Sequence, residues 1–176
     1  MNNTIYLVTG GAGFLGGNVC RTLIKRGDHV RTLALPNDPA ARYIPDGAEV
    51  FFGDITNKDS LRDFFAIPAE KKAVVIHCAS IVALSPEPSR KVFDVNVAGT
   101  SNIIDLCLEN EAEKLVYVSS TGAIPELPHG QTISEPENFR PDAVIGYYSK
   151  TKALATMSVL LSLIHISEPT RPEPIS

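Results

Sequence analysis

An apolar, β-branched run from Thr4 to Thr9 (TIYLVT) passes directly into Gly10, Gly11, Ala12, Gly13, Phe14, Leu15 and Gly16, and then into a segment with apolar residues at helical spacing. No other feature constrains the fold as strongly as this order of strand, glycine turn and helix. It brings the free N–H groups and the positive end of a helix to one edge of a sheet, where a phosphate can be held. Leu15, Val19, Leu23 and Ile24 form the helix stripe, and Gly27 ends it. Gly10 would allow the tight turn, Gly13 would let a pyrophosphate approach the backbone, and Gly16 would let the helix pack closely on its strand. A glycine-rich βα turn without a ligand has the same local composition, so the rest of the chain must decide.

The rest repeats the same alternation. His29 to Leu35 reads as a second strand, Glu49 to Phe52 as a third, Ala73 to Cys78 as a fourth and Lys114 to Ser119 as a fifth, with a helix at about Lys58 to Phe65. Val92, Asn96, Gly99, Ile103 and Leu106 fall at steps of three and four, which predicts a helix with one asparagine on its apolar stripe. A buried amide there must be hydrogen-bonded. Between Thr121 and Gly146 lie Pro125, Pro128, Pro136 and Pro141 in a connection of about 25 residues, far longer than an ordinary loop. A last helix starts near Tyr147. The pattern predicts an α/β fold, a doubly wound parallel sheet of the Rossmann type, incomplete in its C-terminal half because no sixth strand follows.

The 176 residues suffice for one domain, and 44% hydrophobic with 20% charged residues is ordinary globular composition. A net charge of -4 offers no basic face for nucleic acid. Cys20, Cys78 and Cys107 lie far apart in apolar runs, which fits reduced core thiols, and no metal site is expected. No signal-peptide pattern opens the sequence and no apolar run approaches a membrane span, so a cytoplasmic protein that does not engage membranes is expected.

Leu161 to Arg171 (LSLIHISEPTR) resembles, over eleven positions, the in-frame translation of a transposase adapter used in sequencing libraries, and PEPIS follows. Residues 1–160 are accordingly expected to form a truncated NAD(P)-binding domain, 161–176 to be a non-native tail, and the substrate domain to be absent.

The spacing TGGAGFLG resembles the short-chain dehydrogenase/reductase superfamily, and its extended branch, the epimerase/dehydratase and dihydroflavonol-reductase-like group, fits best. GDIT at Gly53 to Thr56, HCAS at His77 to Ser80, NVAGT at Asn96 to Thr100, VYVSST at Val116 to Thr121 and YSKTK at Tyr148 to Lys152 occur in the order of that family. The resemblance covers Thr4 to about Leu160. Tyr148 and Lys152 are four apart and share a helix face. A tyrosine is a poor base near neutral pH, and a cation one turn away stabilises its phenolate. The resemblance implies that Tyr148 is the general acid/base and that Lys152 also holds the nicotinamide ribose. It makes Thr121 the hydroxyl that binds the substrate oxygen, although Ser119 or Ser120 would replace it after a one-residue shift. Asn96 matches the family's helix asparagine, which supports the lysine through water; a satisfied core amide is the other reading.

Gly10, Gly13, Phe14, Leu15, Gly16, Asp54, Ile55, Ala79 and Lys152 are the implied cofactor-binding residues. Asp54 matches the acid at the adenine edge, and an aspartate there equally caps the next turn. His77 has no partner at metal-ligand spacing and reads as a satisfied strand-end histidine. The acid expected after the second strand is replaced by Ala34, which puts NADP at least level with NAD and leans slightly to NADP. Arg31 or Arg42 could face a 2′-phosphate. The leading expectation is an NAD(P)-dependent oxidoreductase acting on a small-molecule carbonyl or alcohol, dihydroflavonol-reductase-like or hydroxysteroid-dehydrogenase-like. Sugar-nucleotide epimerases or dehydratases are the alternative, and a non-catalytic cofactor-binding regulator is an alternative of another class. A homodimer is left open.

Overall fold

The computed structural model describes residues 3–136 and 138–163. Residues 164–176, which hold most of the segment set apart as a tail, lie outside them.

Five parallel strands form one sheet: β1 (Thr4–Thr9), β2 (His29–Ala34), β3 (Glu49–Phe52), β4 (Lys72–His77) and β5 (Lys114–Tyr117), in the order β3-β2-β1-β4-β5. The strand order reverses at β1, with β2 and β4 on either side of it. That point is where an open α/β sheet leaves a crevice at its carboxyl edge. Strand alternation divides the core in two. Ile5, Leu7, Leu33 and Val75 face Leu61, Phe64, Phe65, Ile103 and Leu106, while Val8 and Val30 face Cys20 and Leu23 of the first helix, α1 (Phe14–Lys25).

α1 ends as expected: Gly27 adopts φ +80°, and the N–H of Asp28 returns to the carbonyl of Leu23 at 3.1 Å. The helix expected at Lys58 to Phe65 is a 3₁₀ turn (Lys58–Leu61) followed by a single turn of α2 (Arg62–Phe65). The asparagine-bearing helix is α3 (Arg90–Phe93), a π-helical segment (Asp94–Gly99) and α4 (Thr100–Glu109). Its stripe of Val92, Asn96, Gly99, Ile103 and Leu106 is buried throughout. At Gly99 a Cβ would stand 2.7 Å from Cγ1 of Ile55, so only glycine permits this approach.

Three strands differ from expectation at their ends by one or two residues. β2 stops at Ala34 because the Leu35 carbonyl is taken by the N–H of Asp38 in a turn. β4 runs Lys72–His77 rather than 73–78. β5 stops at Tyr117 rather than Ser119, because Val118 makes the last bond to β4, at the His77 carbonyl, and β4 offers no strand residue beyond it. The last helix, α5 (Tyr147–Leu163), begins where predicted and continues three residues past Leu160.

Candidate active site

The carboxyl ends of β1, β4 and β5 build the site. Gly10 leaves β1 with φ +75°, and a Cβ there would stand 2.9 Å from the Ala79 nitrogen, so the turn and the β4 end touch through backbone. At Gly16 a Cβ would stand 2.7 Å from the carbonyl carbon of Gly10, which accounts for the close packing of helix on strand. Gly13 has an ordinary φ of -80°, and the nearest atom to a Cβ there is the Gly10 carbonyl oxygen at 3.2 Å. No side chain caps α1 at Gly13, so the first-turn N–H groups keep their outward-facing donors. Phe14 is 89% exposed and Leu15 48% exposed beside them. A cradle of bare backbone donors at a helix N-terminus, kept open by missing side chains, fits a dinucleotide pyrophosphate.

Behind the cradle runs a buried hydrogen-bonded train. The N–H of Ala79 donates to Thr9 Oγ1 at 3.1 Å, Thr9 Oγ1 lies 2.6 Å from His77 Nδ1, and His77 Nε2 lies 3.1 Å from Thr100 Oγ1. Thr100 spends its only hydrogen on the Asn96 carbonyl at 2.7 Å, so it must accept from Nε2–H, and Thr9 must donate to Nδ1. Burial, with the Lys152 charge nearby, pushes the His77 pKa down to about 3 and keeps the ring neutral. The strand-end histidine is thus satisfied on both nitrogens.

Asn96 is 1% exposed and its amide is filled. Its oxygen accepts from Ser80 Oγ at 3.1 Å and the Ile81 N–H at 2.8 Å; its nitrogen donates to the Ile81 carbonyl at 2.9 Å and to Thr151 Oγ1 at 3.1 Å. Thr151 in turn donates to the Tyr148 carbonyl at 2.7 Å. The side chain therefore ties the segment after β4 to the first turns of α5. With four hydrogen bonds made, the side chain is the satisfied amide that its burial requires.

Lys152 is 3% exposed. Its Nζ donates to the Val118 carbonyl at 2.7 Å and stands 4.4 Å from the centroid of the Tyr117 ring. Burial pushes its pKa down to about 8. Tyr148, one turn earlier, is half-buried. Of the three adjacent hydroxyls, Ser119 bonds Thr156 at 2.6 Å and Ser120 accepts from the Gly122 N–H at 3.2 Å, whereas Thr121 is exposed and has no side-chain hydrogen bond among the described residues. Thr121 opens the 3₁₀ turn Thr121–Ala123, which lies on α5: a Cβ at Gly122 would stand 2.9 Å from Ser149 Oγ.

Ile55 is 5% exposed and its side chain packs in the core against Gly99. Arg31 is bound to Glu49 at 2.9 Å, to the Ala66 carbonyl at 2.6 Å and over the Phe51 ring at 5.0 Å, which removes it as a phosphate ligand. Arg42 is exposed on the 3₁₀ turn Pro39–Tyr43 after β2. Asp54 forms the capping contacts: its Oδ1 accepts from the Thr56 N–H at 2.9 Å and the Thr56 hydroxyl at 2.8 Å. Thr9, Thr100, Tyr117, Thr151 and the Val118 carbonyl were not singled out from sequence. All five lie inside the family motifs, but as residues of ordinary type they carry no signal of their own.

The profile of the 3-beta hydroxysteroid dehydrogenase/isomerase family matches residues 7–167. The chain belongs to this family. It is 30% identical over 158 residues to sterol demethylase protein B of Methylococcus capsulatus, covering 90% of this chain and 47% of that protein. It is 33% identical over 164 residues to a 3 beta-hydroxysteroid dehydrogenase/Delta 5-->4-isomerase of Mycobacterium tuberculosis, covering 88% of this chain and 41% of that one. The chain spans less than half the length of these relatives. Among solved structures, UDP-glucose 4-epimerase of Thermus thermophilus in complex with NAD superposes with a TM-score of 0.78 at 28% identity, over 92% of this chain and 51% of that one. The family match and the parallel five-stranded sheet agree on a Rossmann-type short-chain dehydrogenase/reductase fold.

Proposed function

We propose that the protein is an NAD(P)-dependent oxidoreductase that interconverts an alcohol and a carbonyl, with the ring hydroxyl of a sterol-like molecule as the substrate class. The observation that carries this reading is the pair formed by half-buried Tyr148 and buried Lys152 on α5, beside the strand ends that form the glycine cradle. Family membership and the sterol-acting relatives favour the steroid-like class over a sugar nucleotide.

Gly10, Gly13 and Gly16, with the uncapped start of α1, would hold the pyrophosphate of the dinucleotide. When bound, the nicotinamide supplies the hydride acceptor or donor. The chain's own residues handle the proton: Tyr148 takes it from the substrate hydroxyl or returns it to the carbonyl oxygen. The free Thr121 hydroxyl hydrogen-bonds the same oxygen. Cofactor choice rests on Ala34 and Arg42, because an alanine does not repel a 2′-phosphate and an exposed guanidinium can bind one.

The test is turnover in the full-length protein. Tyr148→Phe should keep dinucleotide affinity and lower turnover by a factor on the order of 10² to 10⁴, and Lys152→Met should weaken both. Full activity in the phenylalanine variant would refute the assignment. Net oxidation or reduction of the cofactor by a sterol-like alcohol or ketone separates this reading from epimerisation, which returns the hydride.

A further inference from the structure

Among the described residues the buried Lys152 ammonium has no counter-ion. The titratable groups that interact with it are His77 and Cys78 at the end of β4 and Tyr117 on β5, and Tyr148, one turn earlier on its own helix, interacts with Tyr117. His77 is held neutral by its two threonine partners, and burial pushes the Cys78 thiol up to about 11. Among the described residues no carboxylate pairs with Lys152. The Val118 carbonyl satisfies one of three N–H donors, and the centroid of the Tyr117 ring lies 4.4 Å from Nζ.

We propose that Tyr117 is a positioning residue for Lys152: its ring and the Val118 carbonyl form the seat that fixes the ammonium, and the hydrogen-bonded imidazole of His77 braces the ring. The inference rests on the reading of Lys152 as an active-site group. The Tyr117 ring packs on His77 with centroids 5.7 Å apart and planes inclined by 36°. A ring face attracts a cation through its quadrupole, and the attraction grows when water is excluded. The hydroxyl of Tyr117 is buried and lies beside Thr100 and Thr156, outside ordinary hydrogen-bond geometry among the described residues. Both threonines give their own hydrogens to the carbonyls of Asn96 and Lys152, so they can only accept from the phenol, a contact that would anchor the ring and not reach the ammonium. Burial also pushes the Tyr117 pKa up, so the phenol stays neutral and supplies no anion to Lys152. What remains for Tyr117 to contribute is an aromatic face at a fixed place.

The readout is the titration of Lys152 itself, followed by NMR on the full-length protein carrying ¹³Cε-labelled lysine, with the resonance assigned by its loss in Lys152→Arg. The native midpoint is expected near 8. Tyr117→Phe keeps the ring and should leave it unchanged. Tyr117→Leu and Tyr117→Met keep the site dry without an aromatic face, and should each move the midpoint down by roughly 0.5 to 1.5 pH units. Two aliphatic replacements are used so that one folded variant suffices, folding being checked by circular dichroism. An unchanged midpoint in a folded aliphatic variant, or an equal shift in Tyr117→Phe, would overturn the proposal. Turnover of Lys152→Met is recorded separately: if it were unimpaired, Lys152 would leave the active site while the titration result would stand.

Discussion

Thr9 and His77, at the facing ends of two parallel strands, share a 2.6 Å hydrogen bond with one consistent proton placement: Thr9 donates and Nδ1 accepts. The hydroxyl of Thr9 is aimed by the Ala79 N–H, and the far nitrogen of His77 is fixed by Thr100. One neutral imidazole therefore locks the β1 end, the β4 end and the start of α4 into a single arrangement. The Ala79 backbone that touches the glycine turn and the Tyr117 ring beside Lys152 both adjoin this arrangement.

The neutral state has a measurable consequence. His77 has a folded pKa of about 3 against an ordinary 6.5, so below pH 6.5 the unfolded chain binds a proton that the folded chain refuses. Its contribution to stability is complete above pH 6.5 and is lost as pH falls toward 3, by about 1.4 kcal/mol per pH unit. Denaturant titrations at pH 7, 6 and 5 should show this loss, and His77→Gln should flatten it. An identical slope in the variant would assign the acid sensitivity to other groups.

Two of the motif glycines should separate folding from binding. Gly10→Ala forces a side chain onto positive φ and into the Ala79 backbone, and should cost about 1 to 3 kcal/mol of stability. Gly13→Ala meets only the Gly10 carbonyl at 3.2 Å, so the fold should change by less than about 1 kcal/mol. Its methyl would occupy the space a pyrophosphate needs, and dinucleotide affinity should fall at least about tenfold. Thermal melts and fluorescence titration of the same samples give both numbers. Undiminished binding in Gly13→Ala would place the phosphates elsewhere.

Asn96 should behave as a structural hub. Asn96→Leu leaves the Ile81 N–H and carbonyl and the Thr151 hydroxyl short of partners in a buried site, at about 2 to 4 kcal/mol. A loss below about 1 kcal/mol in urea unfolding would mean that water replaces the amide readily.

The architecture was readable because strands and helices here carry unlike periods, and because glycine marks the places where backbones touch. Gly10 and Gly16 could be assigned from sequence since their reason is local. The fates of Arg31 and Asn96 were not local. Arg31 is taken by Glu49 across a strand pair and by Ala66 from a separate segment, and Asn96 is filled by residues 15 and 55 positions away. Spacing along the chain cannot reveal which distant partner claims a polar side chain. It also placed β5 two residues too long, because strand length depends on where the neighbouring strand stops.

Cofactor choice can be argued from the same partnerships. Arg31 and Arg42 were equal candidates for a 2′-phosphate, but the Arg31 guanidinium is held by Glu49, Ala66 and the Phe51 ring, on the half of β2 away from the carboxyl edge. Arg42 follows β2 on an exposed turn, its guanidinium resting 4.9 Å from the centroid of the Tyr43 ring, a contact light enough to exchange for a phosphate. Arg42→Ala should therefore weaken NADPH binding about tenfold, the worth of one exposed charge-assisted contact, and leave NADH binding unchanged. Arg31→Ala should lower stability and alter neither affinity. Paired fluorescence titrations with both nucleotides test this, and equal losses for NADH and NADPH in Arg42→Ala would remove the argument for NADP.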